Sequence, residues 1–317
     1  MIMSESIQES TEAAFQRIPA EIRKNLLNIS VKLAGIPQGQ GGEFICSGVI
    51  LYSKGGITFI ATAKHNVQLF NGFEDPPKWD QKHLVNFKKA ITIYYDDEMA
   101  FNKSPAKKAE ISFVHSMLDK STSWSYDVII LHSRDKDLAA FAKKNQVPLI
   151  SLQRTRYVTR PNLYLARNGR TFIQTGYGFA TEKVENGKLP TDELKGTNVQ
   201  GALQYRITEP LADQTVTVYG ELSAQKGQYF QHDHAIQLKA NENDSSAPGD
   251  SGGPLFVYTN DGEADRLYLI GVTTGADMAA REVKCPSGNK LRENGIAASL
   301  GPCYQEEETV KALIRDK

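Results

Sequence analysis

Gly249-Asp250-Ser251-Gly252-Gly253-Pro254, followed at once by the apolar run Leu255-Phe256-Val257, is the stretch on which the reading of this chain turns. Gly, Asp, Ser and Pro are the commonest turn residues, so by composition alone the string is compatible with an ordinary tight loop leading into a buried strand. It is also what a nucleophilic hydroxyl requires. A serine that attacks an amide carbonyl needs exposure on a sharp turn, a base to take its proton, and donors for the oxyanion that develops. Glycines permit the turn, and with no side chain at Gly249 its N–H is free to point at the same spot as the N–H of Ser251.

Working outward, two further segments stand upstream of Ser251: Ala61-Thr62-Ala63-Lys64-His65-Asn66-Val67, at the end of an apolar run, and Tyr126-Asp127-Val128-Ile129-Ile130-Leu131. Taken singly, His65 reads equally well as a histidine satisfied in a polar turn, and Asp127 as the cap of a strand. Together with the string at 249–254 they resemble the trypsin/chymotrypsin family, in the chain order His, Asp, Ser. Thr175-Gly176-Tyr177-Gly178 and Leu269-Ile270-Gly271-Val272-Thr273-Thr274-Gly275 resemble two more landmarks of that family, and the matches span roughly residues 30–304.

The resemblance implies an all-β fold of two antiparallel six-stranded β-barrels, with the site in the cleft between them. It implies Ser251 as nucleophile, His65 as general base, and Asp127 as the residue that orients the histidine. The N–H groups of Gly249 and Ser251 become the oxyanion hole, and the reaction becomes hydrolysis of peptide bonds in a protein or peptide substrate, with no metal and no organic cofactor. Histidine suits the base because its ordinary titration range brackets neutrality. The rival expectation is a catalytically idle binding module that keeps the fold, or a regulatory protease that depends on an activating partner.

For substrate binding, the resemblance points to Ser245 at the pocket floor, with Asp244 beside it, and to Thr273, Thr274 and Gly275 on the wall. A neutral floor predicts apolar or aromatic side chains before the scissile bond, and an inward Asp244 predicts Lys or Arg instead. Two family disulfides are lost: Asn66 stands where the partner of Cys46 would be, and Ala247 replaces a cysteine before the nucleophile. The family frees an amine by cleavage and buries it beside the aspartate preceding the nucleophile, here Asp250. Arg17-Ile18 is a candidate for that cleavage, but an ordinary amphipathic helix is the favoured reading of it.

Composition bounds the partners. In 317 residues Lys+Arg and Asp+Glu each total 37, so the chain lacks the basic excess of a nucleic-acid binder. No apolar stretch is long enough to span a bilayer, and the acidic opening residues do not form a secretory signal. Three cysteines, Cys46, Cys285 and Cys303, are too few and too odd for a disulfide framework. Cys285 and Cys303 stay open as one bridge, with free thiols favoured. The expected location is the cytoplasm, or delivery into another cytosol without a cleaved signal. His232 and His234 lack a third ligand at a convincing spacing, and an exposed strand or loop is favoured over a metal site.

Along the chain the expected divisions are an N-terminal helical extension over residues 1–28, a first barrel over 29–145, a second over 146–304 and a C-terminal helix over 305–317. The N-terminal helix is expected from Phe15, Ile18, Ile22 and Leu26, with Pro19 at its first position. Strands are predicted at Phe44 to Leu51, Ile57 to Thr62, Ala90 to Tyr95, Ile111 to Val114, Val128 to Leu131, Asn162 to Leu165, Thr171 to Gln174, Thr215 to Tyr219, Ala235 to Leu238, Pro254 to Tyr258 and Leu267 to Thr273. No further helix is expected before the C-terminal one, which the acidic Glu306, Glu307 and Glu308 open.

Overall fold

The computed structural model of the chain describes residues 11–37, 42–71, 81–115, 128–145, 170–178, 201–208, 217–219, 229–231, 235–238, 249–260, 265–285 and 288–299. The expected strand at 162–165, the C-terminal helix over 305–317, Cys303, and His232 and His234 lie outside these residues.

Two helices open the described chain, α1 (Thr11–Gln16) and α2 (Ala20–Asn28). Pro19 divides them. It occupies the N-cap of α2 with φ −51° and ψ 138°, one position earlier than expected. Phe15, Ile18 and Leu26 from this pair are buried in the main core.

The first sheet then forms from β1 (Ser30–Gly35), β2 (Phe44–Lys54), β3 (Ile57–Ala63), β4 (Thr92–Tyr95), β5 (Lys107–Glu110), β6 (Phe113–His115) and β7 (Val128–Ser133). Its order is β5-β4-β1-β2-β3-β7-β6, and every pairing is antiparallel. Between β2 and β3 the register passes from Ile50↔Ile60 to Tyr52↔Phe59, so Leu51 is an extra residue and bends the strand.

Three helices interrupt this sheet where none was expected: α3 (His65–Asn71), α4 (Gln81–Ala90) and α5 (Lys136–Lys144). Their apolar stripes are short. In α3, Val67 and Phe70 are buried one turn apart, while α5 buries Leu138, Phe141 and Ala142 at the i, i+3, i+4 spacing of one helical face. Each of Leu138 and Phe141 contributes about 1.5–3 kcal/mol by leaving water. The Asp135 side chain caps α5 by accepting from the Leu138 N–H at 2.8 Å, and Lys143 and Lys144 face the negative end of its dipole. Because Ala90 ends α4, the strand expected from Ala90 begins at Thr92. The strand expected at Ile111 begins at Phe113.

The second sheet contains β8 (Arg170–Gly176), β9 (Gln204–Thr208), β12 (Ala235–Leu238), β13 (Pro254–Asn260), β14 (Asp265–Cys285) and β15 (Gly288–Ser299), in the order β12-β15-β14-β13-β8-β9. A separate hairpin pairs β10 (Thr217–Tyr219) with β11 (Tyr229–Gln231). Successive residues of β13 point to opposite faces. Phe256 and Tyr258 join the main core, whereas Leu255 and Val257 pack with Phe172 and Ile270 on the far face. The register of β13 against β14 passes from Leu255↔Gly271 to Phe256↔Leu269, which leaves Ile270 as an extra residue. The architecture is the expected mostly-β, antiparallel one with few helices.

Candidate active site

The string at 249–254 forms a turn whose last residue, Pro254, begins β13. Its backbone could be built by little else than glycine at two points. Gly249 has φ +100° and Gly252 φ +86°, in the region that residues with a Cβ avoid. A Cβ on Gly252 would also lie 2.1 Å from the carbonyl oxygen of Ser47 and 2.1 Å from Thr62 Oγ1. The loop thus lies directly against the first sheet.

His65 reaches the loop from that sheet. The β3 strand ends at Ala63, and His65 is the first residue of α3. The chain turn there aims the imidazole so that Nε2 stands 2.8 Å from Ser251 Oγ. His65 is 7% exposed, while Ser251 is half-buried. At the close of the β3–β7 ladder Ala63 pairs with Val128. Asp127, the residue before Val128, lies outside the described residues, as do Ser245, Asp244 and Ala247.

The carbonyls of Gly249, Asp250, Ser251 and Gly253 are engaged. Gly249 O accepts from Ser47 Oγ at 2.7 Å, Asp250 O from the Gly253 N–H at 2.7 Å, and Ser251 O from the Ser47 N–H at 2.9 Å and from Asn66 Nδ2 at 3.0 Å. On the other flank the Gly252 N–H donates to Thr273 O, and the Thr273 N–H to Gly253 O, both at 2.7 Å. Asp250 Oδ1 accepts the Gly178 N–H at 2.9 Å, and it fills space that a Cβ on Gly176 or Gly178 would occupy. Among the described residues no protein acceptor takes the N–H of Gly249 or of Ser251.

Of the expected wall residues, Thr273 is buried and Thr274 half-buried on β14, and Gly275 pairs with Ile296 of β15. Behind Thr273 stands a polar chain. Gln174 Nε2 donates to Thr273 Oγ1, and Gln174 Oε1 accepts from Nε of the buried Arg206. Sequence reasoning did not find Gln174, Arg206, Ser47 or Thr62. The signal available for Ser47 and Thr62 was a polar residue inside a largely apolar strand, whereas Gln174 and Arg206 lie in strands of mixed composition that give no such signal. Cys46 is buried and free, and burial pushes its thiol well above the ordinary range, with only partial opposition from a hydrogen bond with Thr62.

Two antiparallel sheets that meet at an imidazole–hydroxyl pair, with the hydroxyl on a glycine turn and the imidazole at a strand end, define a serine-protease fold. The chain belongs to the Trypsin family, whose family model matches residues 34–289. Among solved structures it is similar to HL collagenase, at 15% identity and TM-score 0.48, covering 90% of this chain and 95% of that one. It is similar also to an inactivated protease paralogue of the scabies mite, S-D1, at 14% identity and TM-score 0.49, over 92% of this chain and 94% of that one. A protease from M. tuberculosis in its active form matches at 15% identity and TM-score 0.46, over 93% of this chain and 85% of that one. None of the curated proteins matches the chain by sequence.

Proposed function

We propose that the chain is a serine endopeptidase that cleaves protein or peptide substrates through an acyl-enzyme on Ser251. The observation that carries this reading is the 2.8 Å contact between His65 Nε2 and Ser251 Oγ beside a loop whose Gly249 and Ser251 carbonyls are tied down. That distance suits proton transfer from the hydroxyl to the ring. Ser251 Oγ attacks the scissile carbonyl carbon as its proton passes to Nε2, and the electron pair of the C=O bond moves onto oxygen. The N–H groups of Gly249 and Ser251 receive that oxyanion. The C–N bond then breaks, with the proton returned by His65 to the leaving amine. Water, deprotonated by His65, hydrolyses the ester and restores Ser251. Asp127 holds the ring tautomer and stabilises the imidazolium. The pairing of its neighbour Val128 with Ala63, two residues before His65, supports this role.

The wall at Thr273 and Thr274 is neutral, and the described residues behind it, Gln174 and Arg206, carry an amide and a guanidinium. Together with Ser245 at the floor this favours Leu, Phe, Tyr or Met over Lys or Arg before the scissile bond. A reducing compartment is the setting proposed, since Cys46 stays a buried thiol and Asn66 replaces its bridge partner. The test is digestion of a mixed peptide library by the purified chain and by Ser251→Ala. Cleavage after apolar residues by the first, with a loss of several orders of magnitude in the second, is expected. Equal cleavage by both would refute the assignment.

A further inference from the structure

The bond that Asn66 makes to the nucleophile's own carbonyl belongs to a closed circuit. Asn66 Nδ2 donates to Thr62 Oγ1 at 3.0 Å as well as to Ser251 O; Thr62 Oγ1 donates to Ser47 O at 2.7 Å; and Ser47 returns to the loop through both its N–H and its hydroxyl. The Ser47 hydroxyl accepts the Tyr177 N–H at 2.8 Å. Proton placement is forced throughout. A backbone N–H only donates and a carbonyl only accepts, so Ser47 Oγ must give its proton to Gly249 O, and the amide nitrogen of Asn66 must face Ser251 O.

We propose that Ser47 and Asn66 are positioning residues that hold the 249–253 loop in its reactive shape from the first sheet. They would do so in the place of covalent bridges and without regard to thiol state. The inference rests on the function proposed above and names residues that its chemistry does not use. The circuit fixes the direction of the Gly249 and Ser251 carbonyls, while Gly253 fixes that of Asp250. Peptide planarity sets the Ser251 N–H opposite to the Asp250 C=O that Gly253 holds, and the peptides on either side of it are the two whose carbonyls Ser47 and Asn66 hold, so the oxyanion donor is braced on both flanks before substrate arrives. Asn66 follows His65 directly. Ser251 is therefore gripped twice from one helix start, at Oγ by His65 and at its carbonyl by Asn66, and the spacing of base and nucleophile becomes a local property.

A second observation marks Asn66 as kept for its donors. The residue is 1% exposed, yet its Oδ1 has no hydrogen-bond partner among the described residues, an arrangement unfavourable to the fold. Ser47, also fully buried, shows the same economy of purpose, with all three of its backbone and hydroxyl groups that face the loop and Thr62 engaged.

The experiment is saturation kinetics of fluorophosphonate labelling on the full chain, comparing the wild type with Ser47→Ala and Asn66→Ala, alongside thermal melts of each. Loss of positioning predicts a maximal labelling rate 10–100-fold lower in the folded variants, with the concentration for half-maximal rate within twofold of the wild type. A maximal rate within twofold of wild type in either folded variant overturns the role of that residue. A rate that falls only in step with the folded fraction makes both residues merely structural and overturns the proposal. Should Asn66→Ala not fold, Ser47→Ala, which deletes a single oxygen, decides the matter. A wild-type chain that is not labelled at all refutes the proposed function first, and this inference falls with it.

Discussion

Gly252→Ala probes how tightly the 249–253 loop is pressed onto the first sheet. Two costs are separable. Alanine at φ +86° carries the left-handed penalty of roughly 1–2 kcal/mol. Its methyl would also meet Ser47 O and Thr62 Oγ1 at 2.1 Å and Ala63 N at 2.9 Å, overlaps that only backbone displacement relieves, at about 1–3 kcal/mol. The sum is about 2–5 kcal/mol, or about 4–10 °C of melting temperature at roughly 2 °C per kcal/mol for a chain of this length. If the loop yields instead of the fold, Ser251 moves relative to His65, and a displacement on the order of 1 Å costs about 10²-fold in reactivity. Either way fluorophosphonate labelling falls steeply. Gly55→Ala is the control. Gly55 has φ +59° in the turn between β2 and β3, but a Cβ there meets nothing within 4 Å. It should lose only the first cost, about 1–2 kcal/mol, with labelling of the folded protein unchanged. Equal destabilisation by the two substitutions, or wild-type labelling of Gly252→Ala, would refute the close approach.

Millimolar reductant should leave the melting temperature within about 2 °C, and Cys46 should resist iodoacetamide in the native state, because its thiol is buried and held protonated. A large drop in melting temperature would show that a disulfide contributes. A chain begun at Ile18 should melt lower and label no faster than the full chain. It loses Phe15, which stacks on Tyr205 at 3.9 Å between ring centroids, and it loses the carbonyl that accepts the Ile18 N–H at 3.1 Å. Faster labelling of the truncated chain would restore activation by cleavage at Arg17-Ile18. Asp96 should support acid stability. Partial burial pushes its carboxyl up, but the N–H groups of Glu98 and Ala106 and the Lys103 ammonium at 3.1 Å outweigh this and hold it below the ordinary range. A depressed folded pKa gives stability that is present above the unfolded value and is lost as pH falls through the folded one. The melting-temperature gap between wild type and Asp96→Asn should therefore close on acidification, and a gap constant with pH would contradict it.

The site was legible where chemistry demands a rare string and opaque where it depends on neighbours distant in sequence. Ser251 and His65 stood out because a glycine turn before an apolar strand, and a histidine at a strand end, leave marks in consecutive residues. The contact they make spans 186 positions, and their joint order was needed to anticipate it. Ser47 left no such mark. Its value lies in facing Gly249, 202 positions away, and along β2 it is one polar residue among apolar ones. The helices α3 and α5 escaped notice for a different reason. Each carries one or two turns of apolar spacing, too short for periodicity to separate from the neighbouring strands, although Asp135, three residues before Leu138, was a readable cap. The strand predicted at Leu267 to Thr273 extends to Cys285 because β15 pairs with it over most of that length, including stretches where Gly275, Ala276 and Asp277 break the β-type composition.

The proposed function depends most on the nucleophilicity of Ser251 under activation by His65. Its most direct measurement is the mass of the intact native chain after exposure to a fluorophosphonate, followed by peptide mapping, for the wild type, Ser251→Ala and His65→Ala. The expected result is one adduct per wild-type chain, mapped to Ser251, no adduct on Ser251→Ala, and a labelling rate lower by several orders of magnitude for His65→Ala. An adduct on another residue, or labelling of His65→Ala at the wild-type rate, would contradict it.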